Sequence, residues 1–381
     1  MSEIAEVLAA IETLRDSGEQ MALATVVGVR GSTYRRPGAR LLVSAAGDLV
    51  GNISGGCLEG DVADVAKAVM VAGEPRLVNF DLTADDETVF GWGLGCNGAI
   101  DVFVEPAEKA AEVAGALRRA LEGERPLAAV TVLESSVPGV ERGNRLLVSP
   151  DGSRDGNLGD AELDEVAASV AFELLHEGRS EIRSLETSRG LARAFVEVIE
   201  PPLRLLVCGA GHDAIPVVSS AAALGWKVLV VDDREAFLDA ERFPAAAGFV
   251  HVERGGEAAA AAGTDQRTFV VVMSHNYLRD KEYLRSFLGT DVAYIGMLGP
   301  KARAERLLTE LRAEGVRPSE EDLGKIHGPA GLDIGGEGPE EIAAAIVGEV
   351  LAVRSGRHGG SLRDRTGPIH ERPEPALGGL R

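Results

Sequence analysis

The stretch Leu205-Leu206-Val207-Cys208-Gly209-Ala210-Gly211-His212-Asp213-Ala214 decides the fold of the second half of the chain. Leu203 to Cys208, apolar but for Arg204, has the length of a short buried strand. Gly209, Gly211 and Ala214 then form the pattern G-x-G-x-x-A, and a helix-like apolar segment runs on to Leu224. A second strand, Lys227 to Val231, ends at Asp232-Asp233-Arg234, so an acid stands 23 positions after the first Gly. A glycine motif alone carries little weight, but between a strand and a helix, with that acid, it reads as a nucleotide-binding turn. Gly209 makes the turn, Gly211 lets a pyrophosphate approach the helix start, and Asp232 stands where a ribose hydroxyl would be bound. His212 faces the place the phosphates would take, either as a ligand contact or simply as a donor at the helix start. The same strand–turn–helix pattern also occurs in sheets that hold no dinucleotide.

Toward the C-terminus, strands are expected at 248–252, 268–273 and 292–295, alternating with helices as a parallel sheet requires. The strand at 268–273 runs into Ser274-His275-Asn276. Ligands of an open parallel sheet bind off the carboxyl ends of its strands, so His275 joins Gly209 and Asp232 around one crevice. Residues 326–336 read as a long irregular loop, and Pro339-Glu340-Glu341 opens a helix to about residue 353. Residues 356–381 have little apolar pattern and read as a disordered tail. Pro201-Pro202 ends any regular element and marks a boundary, which gives domains 1–200 and 203–355.

Upstream of that boundary, Ile4, Val7, Leu8, Ile11 and Leu14 trace one face of a helix, followed by strands at 21–29, 41–44, 76–80 and 99–104. The loop Arg30-Gly31-Ser32-Thr33-Tyr34-Arg35-Arg36-Pro37-Gly38 carries three arginines, whose forked guanidinium groups match phosphate oxygens. Next comes Gly51-Asn52-Ile53-Ser54-Gly55-Gly56-Cys57-Leu58-Glu59-Gly60-Asp61, with Leu58, Val62, Val65 and Val69 at helical spacing. Cys57 therefore falls in or beside a first helical turn, where free N–H groups and the helix dipole favour negative charge. Such a position favours the thiolate, the form that attacks sulfur or binds a soft metal, and the free N–H groups suit an anionic ligand. The plain alternative is a tight turn in which a small Cys plugs the start of a core helix. A second glycine-rich loop, Gly91-Trp92-Gly93-Leu94-Gly95-Cys96-Asn97-Gly98, brings backbone close to a strand or a ligand. Two thiols in glycine-rich loops, within one segment that also holds the arginine loop, point to a site.

Residues 107–200 say least. A helix is expected at 107–121, strands at 127–133 and 145–148, a polar turn over 151–160, a helix at 161–175 and a strand at 194–199. No internal repeat is read. The fold class is thus an N-terminal α/β domain of the α+β kind, followed by a C-terminal Rossmann-like parallel-sheet domain.

A formal charge of -21 over 381 residues argues against nucleic acid or an anionic membrane as partner, since both would repel the surface. No run of about 20 apolar residues is present to span a bilayer, and the start has no basic-then-apolar signal pattern. The three Cys, at 57, 96 and 208, form no CxxC pair, a usage that suits a reducing cytoplasm.

Taken together, the stretches RRPGAR, GNISGGCLEGDV, GLGC, CGAGH with VVDDR, VVVMSHNYLRD, YIGMLG, and IHGPAGLDIG with PEEIAAAIVGEV resemble the XdhC/CoxI family. These are the accessory proteins of xanthine dehydrogenase and related molybdenum hydroxylases. The resemblance spans most of 20–105 and 203–353, in the family's order and spacing, and leaves 107–200 without a diagnostic motif. Departures are Ser-Thr-Tyr after Gly31 in place of Ser-Ser-Pro, and Gly-Pro-Lys after Leu298 in place of Gly-Ser-Arg, which puts Lys301 where the family has Arg. The resemblance implies a cytoplasmic maturation factor rather than a metabolic enzyme. It implies a protein that binds the molybdenum cofactor, shelters it while a cysteine desulfurase supplies its terminal sulfido ligand, and delivers it to a xanthine dehydrogenase-type hydroxylase. A homodimer is also compatible with it. The residues placed to hold the cofactor or a nucleotide are Arg35, Arg36, Ser54, Gly55, Gly56, Cys57, Glu59, Cys96, Gly209, Gly211, His212, Asp232 and Arg234. Cys57 and His275 are the candidates for chemistry, and Cys57 the candidate for touching metal. The alternative reading is an NAD(P)-dependent oxidoreductase, with the Rossmann crevice as cofactor site and His275 as general acid or base.

Overall fold

The computed structural model describes residues 3–31, 34–81, 98–122 and 125–366. The loop holding Cys96, together with Ser32 and Thr33, lies outside the described residues, as does 367–381. The chain divides into two compact units, Met1–Pro202 and Leu203–Arg381.

The first unit runs α1 (Glu3–Ser17), β1 (Met21–Gly31), β2 (Arg40–Ser44), β3 (Leu49–Gly51), α2 (Glu59–Ala72), β4 (Arg76–Asp81) and β5 (Gly98–Pro106). It then runs α3 (Ala107–Glu122), β6 (Leu127–Ser135), β7 (Arg145–Val148), β8 (Arg154–Asn157), α4 (Ala161–Glu177), β9 (Glu181–Thr187) and β10 (Gly190–Ile199). The second series repeats the first. Each builds a five-stranded antiparallel sheet, in the orders β3-β2-β1-β5-β4 and β8-β7-β6-β10-β9. Each central strand is bulged at one matching point, Val27 in β1 and Leu133 in β6, which the neighbouring registers skip.

The repeat corrects the sequence reading. Arg40-Leu41-Leu42-Val43-Ser44 recurs as Arg145-Leu146-Leu147-Val148-Ser149, and Gly38, Gly47, Gly51, Asn52, Leu58 and Gly73 recur at one offset as Gly143, Gly152, Gly156, Asn157, Leu163 and Gly178. Two further elements stood hidden in the middle segment. The expected turn over 151–160 contains β8, and β9 was not foreseen because its outer residues alternate weakly between apolar and charged.

Packing follows the two-residue alternation of a strand. Ala22, Ala24 and Val26 of β1 face α2, while Ala128, Val130 and Val132 of β6 face α4. The opposite faces of both sheets meet α1 and α3 in a shared core that includes Ile11, Leu23, Leu117, Leu127 and Ala129. Val27, Phe103, Leu133 and Phe195 close it on one side.

The second unit carries β11 (Arg204–Cys208), α5 (Ala214–Ala223), β12 (Lys227–Asp232), β13 (Gly248–His251), α6 (Ala258–Ala262) and β14 (Thr268–Val272). It continues with α7 (Tyr277–Phe287), β15 (Tyr294–Met297), α8 (Lys301–Ala313), α9 (Glu320–Lys325), β16 (Ile326–His327) and α10 (Pro339–Arg354). The sheet order is β13-β12-β11-β14-β15-β16 with every pair parallel, the doubly wound Rossmann order. Leu205 and Val207 face α5 and α10, whereas Leu206 and Cys208 face the layer of α6, α7 and α8. The strand expected at 292–295 starts two residues later, at Tyr294, and the loop 326–336 begins with the short edge strand β16. No helix among the described residues is long and apolar enough to cross a membrane.

Candidate functional site

In the first unit, Gly55 and Gly56 adopt φ of 81° and 112°, a region open to glycine at little cost. This glycine pair holds back the start of α2 until Glu59, so Cys57 lies one residue outside the helix cap. The cap, Leu58, provides no side-chain hydrogen bond to the first turn. The Cys57 thiol is half-buried, and its Sγ lies 3.6 Å from the Ser54 carbonyl.

Beneath the thiol, Glu59 folds back and organises the loop. Its carboxylate accepts the Ser54 hydroxyl and the amides of Ile53 and Ser54 at 3.2 and 3.0 Å. Burial works to raise the Glu59 carboxyl, but these hydrogen bonds, the Ser54 hydroxyl foremost, hold it below the ordinary value. Ser54 Oγ in turn accepts the Leu58 amide at 2.9 Å. Glu59 and Ser54 therefore hold the shape of the loop.

The arginine loop is brought to the thiol loop by two residues that the sequence did not single out. Glu3 binds the Arg35 guanidinium and also accepts the Asn52 amide at 3.2 Å. The exposed Tyr34 ring lies over Gly55, where an added Cβ would come within 3.2 Å of it. Arg35 is thus tied within the fold, whereas Arg36 is exposed and lines an open cleft of about 560 Å³ with Tyr34, Gly38, Arg40 and Glu197. Cys57 does not line that cleft.

In the second unit, the sheet order reverses between β11 and β14, and the two loops that follow these strands meet there. Gly209, at φ 118°, packs so closely on Ser274 that a Cβ would lie 2.6 Å from its backbone. His275 is the one non-glycine residue with positive φ, 56°, among the described residues, and its Nε2 lies 3.0 Å from Asp213 Oδ2. His212, the residue before Asp213, is exposed. His275 is anchored from below, since buried Asp280 accepts the Ser274 amide and hydroxyl and pairs with Arg303 at 2.6 Å. Lys301 stays exposed near Glu305, whereas Arg303 reaches Asp280.

Asp232 differs from the sequence expectation. It is only 1% exposed, and its carboxylate accepts the Ala210 amide at 2.6 Å, the Arg234 amide at 2.9 Å and two guanidinium N–H groups of Arg234 at 2.8 Å. Burial alone would raise the Asp232 carboxyl, yet Arg234 and the two amides bring it down to about 2. Its oxygens therefore clamp the glycine turn to Arg234, which stacks on Phe237 with its guanidinium carbon 3.9 Å from the ring centroid. The neighbouring Asp233 pairs with Arg279 at 2.8 Å. Cys208 is buried under the same turn; burial, then the Asp280 and Asp232 charges, push its thiol well up, which leaves Cys57 as the accessible thiol of the described residues.

Comparison with known proteins agrees with both halves. The model of the XdhC Rossmann domain matches residues 205–350. The model of the XdhC and CoxI family matches twice, at 14–81 and 120–186, which places a family module in the middle segment where the sequence showed no motif. The chain is 31% identical to a probable xanthine dehydrogenase subunit from Bacillus subtilis (strain 168), over 90% of this chain and 96% of the relative. It is 25% identical to the molybdenum cofactor insertion chaperone PaoD of Escherichia coli (strain K12), over 91% of this chain and 86% of that one. A crystal structure described as a xanthine dehydrogenase from Bacillus halodurans superposes with a TM-score of 0.74 at 28% identity, covering 93% of this chain and 97% of the other. With both units matched by their own models and a relative aligned over nearly its whole length, the chain belongs to the XdhC and CoxI family.

Proposed function

We propose that this protein is a molybdenum cofactor insertion chaperone serving a xanthine dehydrogenase-type hydroxylase. The observation that carries the reading is the Gly55-Gly56-Cys57 loop, an accessible thiol placed outside an uncapped helix start, in a chain related over most of its length to an insertion chaperone. The residues fit such a cargo. Molybdopterin offers a phosphate, which suits the start of α2, where the helix dipole favours negative charge, and the exposed Arg36. It also offers a dithiolene and a soft metal, which suit the Cys57 sulfur. The cofactor supplies the redox chemistry of the client enzyme; this chain's part is to hold it, exclude water and release it.

The finer steps belong to the same proposal. A cysteine desulfurase supplies the sulfido ligand while the cofactor is sheltered, and the loaded chain hands it over in the cytoplasm, as a monomer or a homodimer. The crevice at Gly209, Gly211, His212 and His275 takes a nucleotide, either the one attached to the cofactor or a separate NAD(P)-like molecule. Asp213 and Asp233 are its acidic contacts, because they are half-exposed while Asp232 is buried within the fold.

The test is the small molecule carried by purified protein and its transfer. Pterin recovered as its fluorescent oxidation product, with activation of an apo-hydroxylase, is the expected result. Nicotinamide turnover with an aldehyde or alcohol and no bound pterin points instead to an oxidoreductase.

A further inference from the structure

Within the first unit, the two repeated modules hold each other through exchanged ion pairs. Arg40 opens β2 and binds Glu197 of β10 at 2.6 Å, while its counterpart Arg145 opens β7 and binds Glu105 of β5 at 2.9 Å. All four side chains are largely buried. They line a cavity of about 20 Å³ together with Thr25 and Thr131, which sit opposite Arg40 and Arg145 in equivalent registers. A contact in which each copy gives the same residue and receives the other's partner is the signature of a two-fold relation.

Against that symmetry, the loop ahead of the helix differs between the two modules. Glu59 and its counterpart Asp164 do the same work, accepting the Ile53 and Leu158 amides. Between them, Gly55-Gly56-Cys57 is matched by Asp160-Ala161-Glu162. Asp160 adopts extended backbone, caps α4 by accepting the Leu163 amide at 3.0 Å, and is neutralised by Arg189 at 2.7 Å. The helix of the second module accordingly starts three residues earlier relative to the repeat than α2 does.

We infer that residues 3–202 are a fused pair of homologous modules, in which only the first keeps an open thiol loop and the second has closed the same position with its own carboxylate. Gly55 and Gly56 are then the positioning residues of the site, and the chain carries one cofactor loop rather than two. The statement about cargo rests on the chaperone reading; the statement about the loop does not.

The test grafts the first loop into the second module of the full chain, as Asp160→Gly with Ala161→Gly and Glu162→Cys. In a crystal structure of this variant, α4 is expected to start near Asp164 with the new thiol outside the helix; a helix still starting at Ala161 overturns the inference. Bound pterin is expected to rise from one to two equivalents per chain. One equivalent in both proteins, with the loop open, overturns the equivalence of the two positions. No pterin in the parent strikes at the chaperone reading alone, and the crystal structure still decides the loop.

Discussion

His275 Nε2 lies 3.0 Å from Asp213 Oδ2, which joins the turns after β14 and β11 at the point where the parallel sheet reverses its order. A left-handed backbone at a residue with a Cβ costs on the order of 1 kcal/mol, and such strain persists where surrounding structure enforces it. Here Ser274, held by buried Asp280, does the enforcing.

That strain separates stability from function at His275. His275→Gly is expected to leave the unfolding free energy within about 1 kcal/mol of the parent, while His275→Val lowers it by about 1–2 kcal/mol. Both are expected to weaken nucleotide binding. Denaturant titration and calorimetry read the two effects, and unchanged binding in the glycine variant removes His275 from the crevice's function.

Cys57 sits outside α2 and holds nothing together, since its Sγ makes only a long contact with Ser54. Cys57→Ala is expected to change stability by less than about 0.5 kcal/mol, as surface substitutions do. Activation of a client hydroxylase is expected to drop at least tenfold. Full activation by the variant takes the thiol out of the handover.

Asp232 makes stability depend on acid. Its carboxyl titrates at about 2 in the fold, below the value of about 3.9 of an unfolded chain. Its contribution, on the order of 2–3 kcal/mol, is therefore fully present above about pH 5 and disappears as the pH falls through about 2. Asp232→Asn is expected to be less stable at neutral pH and to show a flatter stability profile between about pH 4 and 2. Parallel profiles for the two proteins contradict the clamp.

Arg145 is almost wholly buried between Glu105, Glu112 and Thr131. Arg145→Met leaves Glu105 without its partner and is expected to cost about 3–5 kcal/mol. Adding Glu105→Met is expected to recover most of that loss, because an apolar pair needs no compensation. The same cycle at Arg40 and Glu197 should give a similar coupling, measured by thermal unfolding.

The parallel sheet was legible because apolar runs, glycine turns and an acid at the end of β12 occur in one fixed order. The glycine turn and His275 fell where the topology demands. The partner of His275 was not legible, since nothing in a sequence says which of three neighbouring acids, Asp213, Asp232 or Asp233, points outward. Pattern put Asp232 at the ribose; the amide of Ala210 and the fork of Arg234 claimed it first. In the first unit, helix and strand periodicity marked most elements, but Glu3 and Asn52 act through backbone and long-range contacts that leave no periodic trace. The repeat was present as two copies of Arg-Leu-Leu-Val-Ser and escaped because the second copy lacks the thiol and the glycine pair that drew attention to the first.

Joining the two modules in one polypeptide has a consequence for assembly. Two separate subunits meet at a rate and to an extent set by their concentration, whereas a tethered pair meets at a high and constant effective concentration. Closure of the buried Arg–Glu contacts is then a unimolecular event, insensitive to dilution. A symmetric dimer of identical chains would also have to change both loops together. A single chain with two modules can keep one loop for cargo and spend the other on stability.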